Sequence, residues 1–337
     1  QMAKTFTVQN ILGSGVTKVI ESTLYMVKAT DAAQASFYKA TGTSGEYNEV
    51  IQTVRQESAI MGVNIDDAAE AVGALYSQMA GFTDLSKDTQ REVASFTAEM
   101  AQLGVATDVT AGLLDSGTKS LGMTTDEAMK MSKEVAQAAR DLGMPVAQMS
   151  ADLKAAMPQL AAYGKEAVKV FKGVAAAAKA TGIATGDLLS ITEQFDTFQQ
   201  AAESVGRLNG ILGGNYLNSL EMVNMTEDER IRTLVKTMEL SGKNWESLNK
   251  YERKAIAASV GIRDMDKANR LLGLTVSELD EKMGKADGGI LSKEQMQEMA
   301  DKARDFSAKL ENLMQSLAVF LNPIITVINT VVEGFLW

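Results

Sequence analysis

The sequence predicts an all-α protein: short helices joined by glycine turns form a multi-helix domain, and a long coiled-coil or bundle helix follows it. Composition favours helices, because Pro occurs only 3 times, aromatic residues make up 6%, and good helix formers are abundant. A glycine-containing phrase recurs at intervals of roughly twenty residues, which is typical of helices separated by tight turns. A sustained hydrophobic repeat near the C-terminus indicates the long helix.

Residues 1–45 are predicted to form an entry segment and one amphipathic helix. Lys18, Glu21 and Lys28 fall on the polar face of that helix. The residues on its opposite face are Val16, Val19, Ile20, Thr23, Leu24 and Val27. The composition of residues 41–45 indicates a loop, which ends the segment.

Residues 46–287 are predicted to form the multi-helix domain. Its repeated phrase consists of a Gly, an apolar residue, a capping residue and then acidic residues. Copies begin at Gly62, Gly81, Gly104, Gly122, Gly143 and Gly182, with a weaker one at Gly164. The glycine is expected to end one helix in a left-handed conformation, while the polar residues cap the next. Capping boxes are predicted at Thr124 with Glu127, Thr226 with Glu229, Thr275 with Glu278, and Ser292 with Gln295.

We predict further structural features for three stretches inside this domain. A group of methionines is predicted to fill the core, with a partner-binding face as the alternative. The members of this group are Met123, Met129, Met131, Met144, Met149 and Met157. The run Ala175–Ala178 permits close packing of helices. Residues 195–212 are predicted to form one apolar helix that includes Phe195 and Phe198.

Residues 288–337 are predicted to form a long helix with a continuous apolar stripe, which we call the seam. Its eleven positions alternate in spacing between three and four: Met296, Met299, Ala303, Phe306, Leu310, Leu313, Leu317, Phe320, Ile324, Val327 and Val331. A period near 3.5 residues over about five heptads is typical of a helix that packs against partner helices. Membrane insertion of the apolar end and burial as an ordinary core helix are the alternatives. Pro323 is expected to kink or break the helix.

The sequence excludes several classes of chemistry for this chain. It contains no His and no Cys, which removes serine-histidine triads, thiolate nucleophiles and the usual zinc ligands. The net charge of −10, with no basic cluster, argues against a nucleic-acid surface. The glycines of residues 206–214 lack the Lys and Ser or Thr of a phosphate loop. We therefore expect no cofactor, no metal and no catalytic residue.

Paired carboxylates are the remaining candidates for chemistry. They occur at Asp66 with Asp67, at Asp126 with Glu127, and in residues 227–229. Each pair lies at a predicted helix start, where acidic side chains stabilise the helix dipole. A structural role is therefore the expected one.

Four segments resemble the tail tape-measure proteins of phages. They are residues 40–47, residues 62–72 with Leu75, residues 195–202, and the apolar stretch 317–328 around Pro323. The similarity covers most of the chain from Ala40 onward. It implies a virion structural protein, held within or at the tip of the tail tube, whose copies associate symmetrically around a central helical bundle.

The resemblance also implies partners and a location. The partners are further copies of the chain, for example in a trimer, and other proteins of the tail tube or tail tip. The location is the virion, and the host cytoplasm during assembly. The family acts on a membrane during genome delivery, and Leu313–Trp337 is the matching segment. Because this chain is short and divided by glycines, we expect a globular terminal portion of a tape measure, or a tail-tip partner, instead of the ruler itself.

Two functions from other classes remain open. A membrane-active helical protein, such as a pore former or toxin, would insert the apolar segment Leu313–Trp337. A muralytic enzyme that uses only carboxylates would need one essential Glu, and the sequence indicates no particular one.

Overall fold

The computed structural model describes residues 28–43, 45–286 and 289–303, and all regular secondary structure within these ranges is helical. This confirms the all-α class. The helices are α1 (residues 28–41), α2 (Asn48–Glu57), α3 (Ile65–Gln78), α4 (Lys87–Gln102), α5 (Thr107–Lys119), α6 (Thr125–Leu142), α7 (Val146–Leu160), α8 (Ala167–Thr181), α9 (Thr185–Thr192), α10 (Phe198–Leu212), α11 (Ser219–Asn224), α12 (Glu227–Leu240), α13 (Lys250–Ser259), α14 (Met265–Leu272), α15 (Val276–Lys285) and α16 (Lys293–Ala303). Short 3₁₀ turns lie at Ala59–Met61, Phe82–Asp84, Glu193–Phe195 and Trp245–Ser247. The segment Ala161–Glu166 is also mainly 3₁₀, but it is kinked at Gly164, whose φ is 53°. Of the predicted long C-terminal helix, only α16 falls within the described residues.

All four predicted capping boxes are present. At the start of α6, for example, the Thr124 N–H donates to Glu127 Oε2 at 2.8 Å, and the Glu127 N–H donates to Thr124 Oγ1 at 3.2 Å. The start of α16 has the same reciprocal pair between Ser292 and Gln295, at 2.9 and 3.2 Å. These bonds satisfy backbone donors that the first turn of a helix leaves without partners. The positions of many helix starts therefore follow from local sequence.

Glycine ends several helices in the predicted way. Gly143 and Gly182 follow α6 and α8 with φ of 63° and 68°, a conformation that residues with a side chain rarely adopt. Gly81 differs from the prediction, because its φ is −99° and it precedes a 3₁₀ turn. Copies of the repeated glycine phrase therefore form more than one kind of turn.

The chain divides into two compact units. Of the described residues, unit 1 contains those up to Gly112 and those from Ser292 onward, and unit 2 is Leu113–Leu291. The boundary at Gly112 falls inside α5. This division differs from the predicted one, which placed residues 46–287 in a single domain. Capping signals locate helix ends but do not specify which helices pack together.

Unit 1 is built around α2, α3 and α4, which pack against one another. Ile51, Val54 and Leu75 are completely buried in its core. Aromatic rings extend the core: Tyr47 makes an edge contact with Phe37 of α1 at 5.8 Å between centroids and stacks on Phe82 at 5.9 Å. The ring contact between Phe37 and Tyr47 joins α1 to the other helices of the unit.

Unit 2 is built around α8, which packs against α6, α7, α9, α12 and α15. Residues 174–177 of α8 are all at most 1% exposed, so its small side chains allow neighbouring helices to approach closely. Four of the six grouped methionines are buried in this unit, which confirms core filling for them: Met129, Met131, Met149 and Met157. Met123 and Met144 are only partly buried.

The predicted apolar helix over residues 195–212 is interrupted. Phe195 is buried at the end of a 3₁₀ turn, and α10 starts only at Phe198, whose side chain is 61% exposed. The reason is local: the Thr197 hydroxyl accepts the N–H of Gln200 and caps a new helix. The prediction of one continuous helix that includes both Phe195 and Phe198 is therefore wrong.

Candidate functional site

The candidate functional site is the start of the seam. The sequence pattern predicts that the helix carrying the seam makes the main interaction of the chain. Of the eleven seam residues, Met296, Met299 and the backbone of Ala303 are described, all within α16. The other eight, Phe306, Leu310, Leu313, Leu317, Phe320, Ile324, Val327 and Val331, lie outside the described residues. The described part of the seam therefore covers about two helical turns.

α16 packs against its own chain within unit 1. Met296 is 1% exposed and Ala300 is completely buried, while Met299 is only partly buried. The elements that contact α16 are the 3₁₀ turn Ala59–Met61 and α4. The face that carries Met296 and Ala300 is therefore a packing surface within the chain.

A polar group lies beside this packing surface. The Ser58 hydroxyl, fully buried, donates to Glu99 Oε1 of α4 at 3.2 Å. The Lys293 ammonium at the start of α16 lies 3.8 Å from the same oxygen. The Lys293 side chain is 62% exposed, whereas the Glu99 side chain is 11% exposed, so the pair joins a solvated ammonium to a nearly buried carboxylate. Met296 and Ala300 supply buried apolar surface to the docking of α16.

A second polar cluster lies inside unit 2 around Arg230 of α12. Its side chain is 4% exposed, and its guanidinium donates to Asp196 Oδ1 at 2.5 Å. It also donates to the backbone carbonyls of Thr192, Met222 and Val223 at 3.2, 2.9 and 3.0 Å. One side chain thus joins α12 to the end of α9 and to α11. Charge-assisted bonds of this kind are the strongest hydrogen bonds in proteins.

Glu227, on the same helix, completes the cluster. It is 7% exposed, and its Oε2 has no hydrogen-bond partner. Burial raises the pKa of Glu227, although a hydrogen bond with the Tyr163 hydroxyl and the charge of Arg230 act in the opposite direction. Burial, together with Glu227, also raises the pKa of Tyr163. Folding therefore makes ionisation of Glu227 less favourable than it is in the unfolded chain.

Glu227→Gln is expected to change the pH dependence of stability. Because the folded-state pKa of Glu227 lies above its unfolded value, its contribution is present at low pH and is lost as pH rises through the folded pKa. The variant, which cannot ionise, should therefore gain stability relative to the parent as pH rises from about 4 towards 8. Thermal unfolding of both proteins across this range measures the difference.

Glu278→Gln provides the control of opposite sign. Hydrogen bonds with the backbone and hydroxyl of Thr275 lower the pKa of Glu278. Its contribution is present above its unfolded pKa and is lost as pH falls, so this variant should lose stability relative to the parent as pH rises. Parallel pH profiles for the Glu227→Gln variant and the parent would contradict the assignment of Glu227. Burial also raises the pKa of Asp67, Asp152 and Asp228, so only differences from the parent isolate Glu227.

The paired carboxylates occupy helix starts, as predicted. Asp67 Oδ2 accepts the Asn64 N–H at 3.0 Å, and Glu229 Oε2 accepts the Thr226 N–H at 2.9 Å. Within the described part of the chain, no group of three or more acidic side chains is arranged to hold a metal ion. None of the helices of those residues is long and apolar enough to cross a membrane.

A cleft in unit 1 was not predicted from the sequence. It has a volume of about 550 Å³ and lies between α1 and α3. Its lining is mostly apolar, with Phe37 and Gly73 among its residues and the carboxylates of Asp66 and Glu70 beside them. Such a surface favours an apolar group over a charged one. The cleft could have been predicted only from the packing of α1 beside α3. The sequence did not specify that packing.

Comparison of the chain with protein-family models, with curated proteins and with solved structures gives no match in any of the three.

Proposed function

We propose that the chain is a structural protein of a phage tail, similar in role to a tape-measure protein, and that it self-associates through the seam. The observation that carries the proposal is the pattern of the seam: eleven apolar positions keep a period near 3.5 residues across five heptads. The described start of the same segment supports it. Ser292 and Gln295 cap α16, which is helical over Lys293–Ala303 with Met296 and Met299 at seam positions.

The proposed role is mechanical. Copies of the chain associate through the seam, for example as a trimer, and the acidic helical domain presents surfaces to other proteins of the tail tube or tail tip. The protein acts in the virion and in the host cytoplasm during assembly. Contact of Leu313–Trp337 with a membrane belongs to genome delivery in this proposal, and no enzymatic step is part of it.

Burial of apolar side chains supplies the free energy of association. A fully buried Leu, Ile or Phe side chain contributes about 1.5–3 kcal/mol. Seam positions other than Met296, which is already buried within unit 1, can therefore offset the loss of translational and rotational freedom on association. This contribution arises where the seam residues become buried between chains.

Leu310→Asp is expected to dissociate the assembly. A carboxylate at a buried seam position loses its hydration without gaining a partner, and this cost exceeds the lost apolar contribution. Sedimentation should give the monomer mass of 36.1 kDa at concentrations where the parent forms an oligomer.

Asn312→Asp is the matched control for this variant. It adds the same charge two residues away, at a position outside the seam, and should leave the mass of the oligomer unchanged. If Leu310→Asp also leaves the mass unchanged, the seam packs within one chain and the proposed function loses its support.

A further inference from the structure

The cleft between α1 and α3 in unit 1 has the size of a site for a small molecule. Its volume of about 550 Å³ falls within the range of roughly 300–1,000 Å³ that is typical of ligand sites. Short side chains line much of it, so the two helices leave space between them. These residues are Ala33, Ala40, Ala69, Gly73 and Ala74, and Phe37 lies among them. The cleft can therefore hold the apolar body of a ligand.

The charge of the lining comes from two carboxylates on α3. Asp66 and Glu70 are four residues apart, so they lie on one face of the helix. No Lys or Arg lines the cleft, and within the described part of the chain neither carboxylate forms an ion pair. Their charge is not neutralised by a neighbouring side chain. This end of the cleft therefore favours a positively charged group over a negative one.

The hydroxyl groups of the lining leave few hydrogen-bond donors for a ligand. The Thr107 hydroxyl donates to Glu70 Oε1 at 2.9 Å and holds that carboxylate in place. The hydroxyls of Thr41 and Ser77 donate to the backbone carbonyls of Phe37 and Gly73, both at 2.8 Å. The carboxylates accept hydrogen bonds and cannot donate them when ionised. A ligand that pairs with them must supply the donors, as an ammonium or guanidinium group does.

We propose that this cleft binds a small amphiphilic cation, a molecule with an apolar body and one ammonium or guanidinium group. The apolar body lies between α1 and α3 beside Phe37 and Gly73, and the charged group pairs with Asp66 and Glu70. The apolar lining provides the contact area, while the carboxylates select the head group. This inference is independent of the proposed function, because no residue that lines the cleft belongs to the seam.

Protection of a single thiol locates binding in the cleft. The sequence contains no Cys, so Ser77→Cys places the only thiol of the chain in the lining. Gln78→Cys is the matched control, because residue 78 is exposed on the same helix and does not line the cleft. Each full-length variant is labelled with iodoacetamide at neutral pH. The probes are octylammonium, 1-octanol and octanoate, which have the same eight-carbon chain or nearly so and differ in the charge of the head group.

Octylammonium should protect the thiol of Ser77→Cys selectively. At a concentration about ten times its dissociation constant, labelling of this variant should slow about tenfold, and labelling of Gln78→Cys should not change. 1-Octanol should require a higher concentration for the same protection, and octanoate a higher one still. The inference is overturned if octylammonium does not protect Ser77→Cys, if it protects both thiols equally, or if octanoate protects as well as octylammonium.

Glu70→Gln, made in the Ser77→Cys chain, tests the selection of charge. The amide oxygen of Gln can still accept the Thr107 hydroxyl, so the packing of the cleft is kept. The variant should bind octylammonium about fivefold more weakly and 1-octanol equally well, because an exposed ion pair is lost. Glu92→Gln removes the same charge from an exposed residue of α4 outside the lining and should change neither affinity. Equal losses of octylammonium affinity in the two variants would overturn the inference.

Gly73→Leu, also in the Ser77→Cys chain, tests the need for the apolar space. A Cβ at residue 73 would lie 3.7 Å from the Phe37 ring, an ordinary contact, so a longer side chain extends into the cleft. Protection by octylammonium and by 1-octanol should both be lost, while circular dichroism shows the helical content of the parent. Retained protection would overturn the inference. If the Leu variant does not fold, the Glu70→Gln comparison decides the outcome.

Discussion

Arg230→Met is expected to lower the free energy of unfolding of unit 2 by about 3 kcal/mol or more, because it removes a buried donor that makes four hydrogen bonds, three of them to backbone carbonyls. Three carbonyls and Asp196 lose a donor at once. Buried acceptors left without partners lose hydration that the folded state no longer replaces. Urea unfolding followed by circular dichroism measures the loss.

Arg232→Met is the matched control on the same helix. Arg232 makes a bidentate pair with Asp280 at 2.6 and 2.7 Å, but both side chains are about two-fifths exposed. Exposed pairs contribute up to about 1 kcal/mol, so this variant should lose far less stability than Arg230→Met. Equal losses for the two variants would show that the buried cluster does not join α9, α11 and α12.

Gly173→Ala is expected to destabilise unit 2 by about 1–3 kcal/mol, because it overpacks the contact between α8 and α12. A Cβ atom at residue 173 would lie 2.6 Å from both the Cβ and the Oδ2 of Asp228. Asp228 stands in the first turn of α12, so the helix itself must shift to make room. The free energy of unfolding in urea, compared with the parent, gives the effect.

Gly210→Ala is the control of opposite sign. It lies in the last turn of α10, and a Cβ there would have no heavy atom within 4 Å. The added methyl group restricts the unfolded chain, so a gain of about 0.5–1 kcal/mol is expected. If both substitutions stabilise the protein, α8 and α12 are not in close contact at Gly173.

The local features of the fold could be predicted from the sequence. The four capping boxes join residues only three positions apart, and each is present. The left-handed glycines after α6 and α8 likewise depend on one residue and its immediate neighbours. Because these interactions are local, a single sequence contains the information needed to place them.

Long-range features could not be predicted in the same way. Arg230 bonds to residues 34 and 38 positions earlier in the chain, and its sequence context gives no sign of those partners. Glu227 looked like an ordinary acidic residue of a first helical turn, yet burial raises its pKa. The division into two units likewise depends on which helices pack together. The spacing of hydrophobic residues indicates which face of a helix is buried. It does not indicate which other element packs against that face.

The seam illustrates the same limit. The sequence identified the apolar face that includes Met296 and assigned it to partner chains. The structure places Met296 against unit 1 of its own chain. Assignment to another chain therefore remains a prediction for the seam as a whole, and it is the central claim.

The mass of the intact chain in solution tests that claim most directly. Sedimentation velocity over a wide range of protein concentration should show the mass rise from 36.1 kDa to a defined small multiple of that value. A mass of 36.1 kDa at every concentration would contradict self-association through the C-terminal helix.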